Sequence, residues 1–98
     1  MRPAGAFRIG AGHPSLPGHF PGRPIVPGVV LLDHAFALIA QRHPGAVLGL
    51  PSVKFTTPVR PEQEVAVSCG DGPGRIPFAC TVDGQDVLRG TIVIGVRP

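Results

Sequence analysis

Hydrophobic positions along this chain repeat with two different periods. Between Val29 and Ala40 only Asp33 and His34 are polar. Pro27 precedes this run and Pro44-Gly45 follows it, which are helix start and stop signals, and Arg42 and His43 suit the negative end of a helix dipole. The pattern predicts a helix over Val29–His43, apolar nearly all round and therefore central and buried. Beyond Gly45 the period falls to two. Ala46 to Thr57 reads as a long strand interrupted at Pro51, and Glu64 to Cys69 alternates. Arg75 to Val82 alternates again with Ile76, Phe78, Cys80 and Val82 on one face, and Asp86 to Val96 is a last strand rich in β-branched residues. Gly70 to Gly74 is a turn, and Asp83-Gly84 is a strong hairpin signal.

Ahead of the helix, Ala6 to Ile9 predicts a short edge strand and residues 1–6 a loose end. From Gly10 to Gly28, Gly and Pro recur too densely for a helix or a central strand. A loop so stiffened loses little entropy on ordering and holds its side chains still, with His19, Phe20, Ile25 and Val26 set between the prolines. The economical packing is a single domain over residues 1–98. It is an α+β fold in which a curved antiparallel sheet of about five strands wraps one helix. So short a chain is expected to gain stability by forming oligomers.

Composition narrows the function classes. Fourteen Gly and 13 Pro among 98 residues approach the composition of a disordered chain, but 43% apolar against 15% charged residues exclude it. No run of 18 apolar residues is present, so no helix spans a membrane, and the first residues lack the apolar run of a signal peptide. The expected location is the cytoplasm. Cys69 and Cys80 show no C-x-x-C spacing and are read as buried or half-buried thiols in a reducing compartment. The histidines lack i,i+4 spacing and there is no cysteine cluster, so a metal site is not expected. Net charge is +3, and Asp33 is the only acid before Glu62, against six basic residues in the same stretch. That balance suits an acidic partner. Without Tyr, Trp or a basic run, nucleic acid is disfavoured.

Three residues carry candidate chemistry. Asp33 lies about one turn into an apolar helix. If buried, its carboxyl is raised above the ordinary ~3.9 and suits a general acid; alternatively it bonds backbone N–H groups near the helix start. His19 has its backbone fixed by Gly18 and Pro21 and titrates near neutrality, as a base should; taken alone, it reads more readily as a loop histidine without a task. Gly28 opens the helix, where free N–H groups and the positive dipole end face a ligand, and an N–H there would polarise a thioester carbonyl as its enolate forms.

The run from Gly18 to Val29, GHFPGRPIVPGV, resembles the G-H-F-P-x-x-P-x-x-P-G-V signature of the hot-dog 3-hydroxyacyl-ACP dehydratases of FabA/FabZ type. Asp33 stands fourteen residues after His19, where that family carries its catalytic carboxylate, and Val53 to Val59 resembles the family's strand after the helix. The resemblance implies a hot-dog fold. It implies a dimer with a second copy or a paralogue, or an assembly of such dimers, and active sites at the dimer interface, each with histidine and carboxylate from different subunits. The implied reaction is loss of water from a 3-hydroxyacyl thioester on acyl carrier protein to a trans-2-enoyl thioester, in fatty acid, polyene or polyketide-like biosynthesis. By position, His19 would remove the C2 proton, Asp33 would donate to or orient the departing hydroxyl, and the Gly28 N–H would hold the carbonyl oxygen. Phe20, Pro27, Val29 and Phe36 would line the acyl path. No cofactor is implied beyond the phosphopantetheine of the carrier protein. The sequence departs from the family in carrying Ala37 where a Gln is common. In brevity and in its Asp it resembles the small dehydratases of aryl polyene clusters. Two other readings stay open: a hot-dog thioesterase in which Asp33 activates water, and a non-catalytic partner subunit.

Overall fold

The computed structural model describes residues 1–12 and 25–95. Five strands and one helix follow one another as β1 (Arg2–Arg8), α1 (Gly28–Arg42), β2 (Ala46–Phe55), β3 (Glu64–Cys69), β4 (Arg75–Val82) and β5 (Gln85–Gly95). They form one antiparallel sheet in the order β1-β3-β4-β5-β2, which is the α+β architecture expected from the sequence. Period-two alternation places β3 and β4. Val65, Val67 and Cys69 of β3 and Ile76, Phe78 and Cys80 of β4 are all buried on one face. In β5 the register shifts beside Cys80, which pairs with Leu88 while Thr81 pairs with Asp86. The extra residue, Val87, is why consecutive Val87 and Leu88 are both buried.

The β4–β5 hairpin turns through Asp83 at φ +50° and Gly84 at φ +80°, the signs of a type I′ turn. A side chain at position 84 would be strained, so Gly84→Ala is expected to cost about 1 kcal/mol, read as a lower urea midpoint at unchanged slope. Cys69 lies opposite Phe78 and Cys80 opposite Val67, so the two thiols are diagonal neighbours, at a typical spacing of about 7–8 Å, too wide for a disulfide. Both are free and buried, as expected. Burial pushes the Cys80 thiol up to about 12, and burial raises Cys69 as well, against the pull of Arg42. Both therefore act as small core hydrophobes rather than nucleophiles.

Two expectations are corrected. Residues 1–6 are not a loose end: β1 begins at Arg2 and pairs with β3 from Arg2↔Cys69 to Arg8↔Glu64. β1 is an edge strand with a register shift between Pro3 and Gly5, the place where a sheet accommodates both. The helix, moreover, is not buried all round. Leu31, Ala35 and Ile39 face the core, while Val29, Asp33 and Ala37, at the same four-residue step but about 200° away, are exposed. The reason is coverage. The helix packs against β1 and β3, with Phe36 edge-on to Phe78 at 5.8 Å and His34 stacked on Phe7 at 5.0 Å, and one chain's sheet shields only that side.

Candidate functional site

The β2–β3 connection and the start of α1 together build a cleft. The carbonyl of Pro27 accepts the N–H groups of Val30 (3.0 Å) and Leu31 (3.3 Å). Gly28 and Val29, at the first two helical positions, have no intrahelical acceptor for theirs. Val26 donates to the Val59 carbonyl at 2.8 Å and so fastens the approach to the helix onto the connection. Farther back, the Thr56 N–H donates to Val87 and its hydroxyl to Asp86, tying the connection to β5. Between these ties lies a largely apolar cleft of about 390 Å³, lined by Ile25, Val26, Gly28, Leu31, Phe55 and residues 56–59.

The Phe55 ring lies directly against Gly28. A Cβ at position 28 would come within 2.7 Å of its Cε1 and Cζ, so glycine is what lets ring and helix start approach each other. Lys54 and Arg60 flank the lining segment. Both are exposed, and among the described residues neither has an acidic partner within ion-pair distance. The described ion pairs are surface pairs such as Arg8–Glu64 and Arg89–Asp86.

Of the residues singled out from sequence, the structure puts Gly28 at the cleft and Pro27 at the helix cap beside it. Val29 is 71% exposed at the helix start. Phe36 lies against Phe78 rather than in the cleft. Asp33 is exposed rather than buried in the lone chain. His19 and Phe20 lie outside the described residues. The role of Phe55 and residues 56–59 as cleft walls was not assigned from sequence. Its available signal was the Val53-to-Val59 run, where a strand ends in Thr-Thr-Pro beside a single apolar residue.

One further surface bears on the site. β2 is the edge of the sheet beyond β5 and is exposed along most of its length, with Val47, Leu48, Val53 and Phe55 uncovered. An unpaired apolar edge of this kind is a template for a further strand.

Residues 3–91 match the family model described as ApeI-like: ApeI dehydratase. Among curated proteins, the chain is 30% identical to the 3-hydroxyacyl-[acyl-carrier-protein] dehydratase FabZ of Thermomicrobium roseum, over 98% of this chain and 74% of that protein. It is likewise 30% identical to the enzyme of that name from Herpetosiphon aurantiacus, over 98% and 78%. Among solved structures it resembles a chain of the dehydratase heterocomplex ApeI:P from Xenorhabdus doucetiae, with a TM-score of 0.79, 24% identity, and coverage of 93% of this chain and 84% of that one.

Proposed function

Since the chain belongs to the ApeI-like dehydratase family, we propose that it removes water from a 3-hydroxyacyl thioester carried on acyl carrier protein, giving the trans-2-enoyl thioester. The observation that carries this reading is the apolar cleft lined by Gly28 at the start of the helix, where the N–H has no intrahelical acceptor. The cleft can take an acyl thioester, and the N–H, at the positive end of the helix dipole, can take the carbonyl oxygen on which charge develops.

In this reading His19 takes the C2 proton, and the electron pair moves toward the carbonyl oxygen held by Gly28. Asp33 protonates or orients the 3-hydroxyl as it leaves as water. Each acid–base step contributes ~10²–10⁴-fold. Both proton transfers use side chains, so the scheme requires no metal or nicotinamide. Asp33 and the Gly28 cleft occupy different faces of the same helix. The proposal therefore joins two chains along the open β2 edges, so that His19 of one protomer meets Asp33 of its partner. Covering the face of Val29, Asp33 and Ala37 also supplies the shielding that a lone sheet does not.

The reading is tested with a 3-hydroxyacyl thioester on carrier protein, following enoyl absorbance and free thiol together. Enoyl product without thiol release is expected. Thiol release in step with substrate loss would make the protein a thioesterase instead. The acidic carrier is expected to dock near Lys54 and Arg60, so carrier-bound substrate should outperform a short pantetheine thioester, and raising salt toward 1 M should narrow the gap as the Debye length falls to about 3 Å. A gap indifferent to salt rejects the charge argument.

A further inference from the structure

On the outer face of the sheet two cations stand directly opposite each other. Lys54 of β2 pairs in register with Arg89 of β5, and opposite residues of an antiparallel pair share a face, with Cβ atoms ~4.5–5.5 Å apart. The next pair along, Phe55 with Leu88, shows which face this is: Leu88 is fully buried in the core, so Lys54 and Arg89 point away from it. Both are exposed. Like charges placed this way oppose the pairing of their own strands. Their surroundings give little relief. Arg89 has uncharged Ala79 across the ladder on its other side, and its Nε reaches Asp86 at 3.3 Å. Among the described residues no acid lies within ion-pair distance of Lys54.

The pair borders the cleft. The residue after Lys54 is Phe55, whose ring lies against Gly28, so one strand carries a cation on its outer side and a cleft wall on its inner side. The Thr56 N–H on the Val87 carbonyl holds this register up to the cleft. A further strand added beside β2 would extend the sheet in its own plane and leave the outer face open. None of the described cavities is lined by Lys54 or Arg89, which points to a flat partner surface rather than an enclosed small anion. We propose that the Lys54–Arg89 pair is a docking surface for an acidic protein, the carrier that delivers the thioester. Its carboxylates offset the repulsion that the free chain bears and set the carrier beside the cleft.

The choice of carrier rests on the dehydratase reading, so docking is measured without turnover, by calorimetric titration with holo acyl carrier protein. Lys54→Glu replaces repulsion across the ladder with attraction. It is expected to melt above the wild type by about 1–5 °C, and yet to bind the carrier about tenfold more weakly. Arg89→Gln is expected to weaken binding about threefold. Arg75→Glu makes the same change of charge on the same face, but beside Val93, four residues along β5 from Arg89. It is expected to keep wild-type affinity. Wild-type affinity in Lys54→Glu, equal weakening by Arg75→Glu, or a lower melting temperature in Lys54→Glu would each overturn the assignment. So would binding to anionic phospholipid vesicles that Lys54→Glu abolishes while carrier binding stays intact. Docking that responds as expected without any enoyl product would sink the dehydratase reading and keep the surface. Enoyl formation with carrier affinity unmoved in both variants of the pair would do the reverse.

Discussion

Asp33→Asn is expected to lower dehydration by ~10²–10⁴-fold while the chain folds as before. The side chain is exposed and belongs to no described ion pair or hydrogen bond, so the fold does not depend on it. Losing one exposed charge should move stability by no more than about 0.5 kcal/mol. An amide of the same shape keeps the contacts of the carboxylate and removes its ability to carry the proton. His19→Ala is expected to lose rate on the same scale, and neither described histidine is free to replace it: His34 stacks on Phe7 and His43 bonds the Gly70 carbonyl through Nε2 at 3.1 Å. Enoyl formation is measured alongside thermal melting. Normal turnover in either variant removes that residue from the mechanism.

Gly28→Ala should be nearly as damaging, for a steric reason. By helix propensity alone, alanine is preferred to glycine by about 1 kcal/mol. The new Cβ, however, would sit 2.7 Å from two atoms of the Phe55 ring, far inside contact distance. Phe55 is 48% exposed, so the ring can swing aside and the fold survives. The displaced ring and the added methyl then crowd the approach to the Gly28 N–H, and losing one such donor costs ~10²–10³-fold in kcat. If the ring is the obstruction, Gly28→Ala combined with Phe55→Ala should recover part of that loss, so the two substitutions should be strongly non-additive in a double-mutant cycle on kcat/KM. Additive losses would place the damage elsewhere, and wild-type turnover in Gly28→Ala alone would remove the N–H from the scheme.

The strands most visible in the sequence were those whose own alternation decides which face is buried. β3 and β4 begin and end where the alternation does, at Glu64–Cys69 and Arg75–Val82, and Asp83-Gly84 turns as its composition requires. β1 was partly hidden because Pro3 and Gly5 disfavour a strand in general, and their tolerance depends on its being an edge strand with a bulge, a tertiary fact. The helix was legible in extent to within a residue, but not in burial. An apolar face reads the same whether this chain or another covers it, so Val29, Asp33 and Ala37 looked internal and are exposed in one chain. The candidate site shows the same division. Gly28 at the helix start followed from the Pro-Gly punctuation, whereas the ring of Phe55 against it arises from residues far apart in sequence.

The central claim is that base and acid come from different chains, and complementation tests it most directly. His19→Ala and Asp33→Asn, each inactive alone, are co-expressed with different tags so that mixed dimers form. A shared site leaves one of the two sites in each mixed dimer with both groups intact, so random pairing should restore about a quarter of wild-type activity. Mixed dimers that turn over no faster than either variant alone would contradict the account.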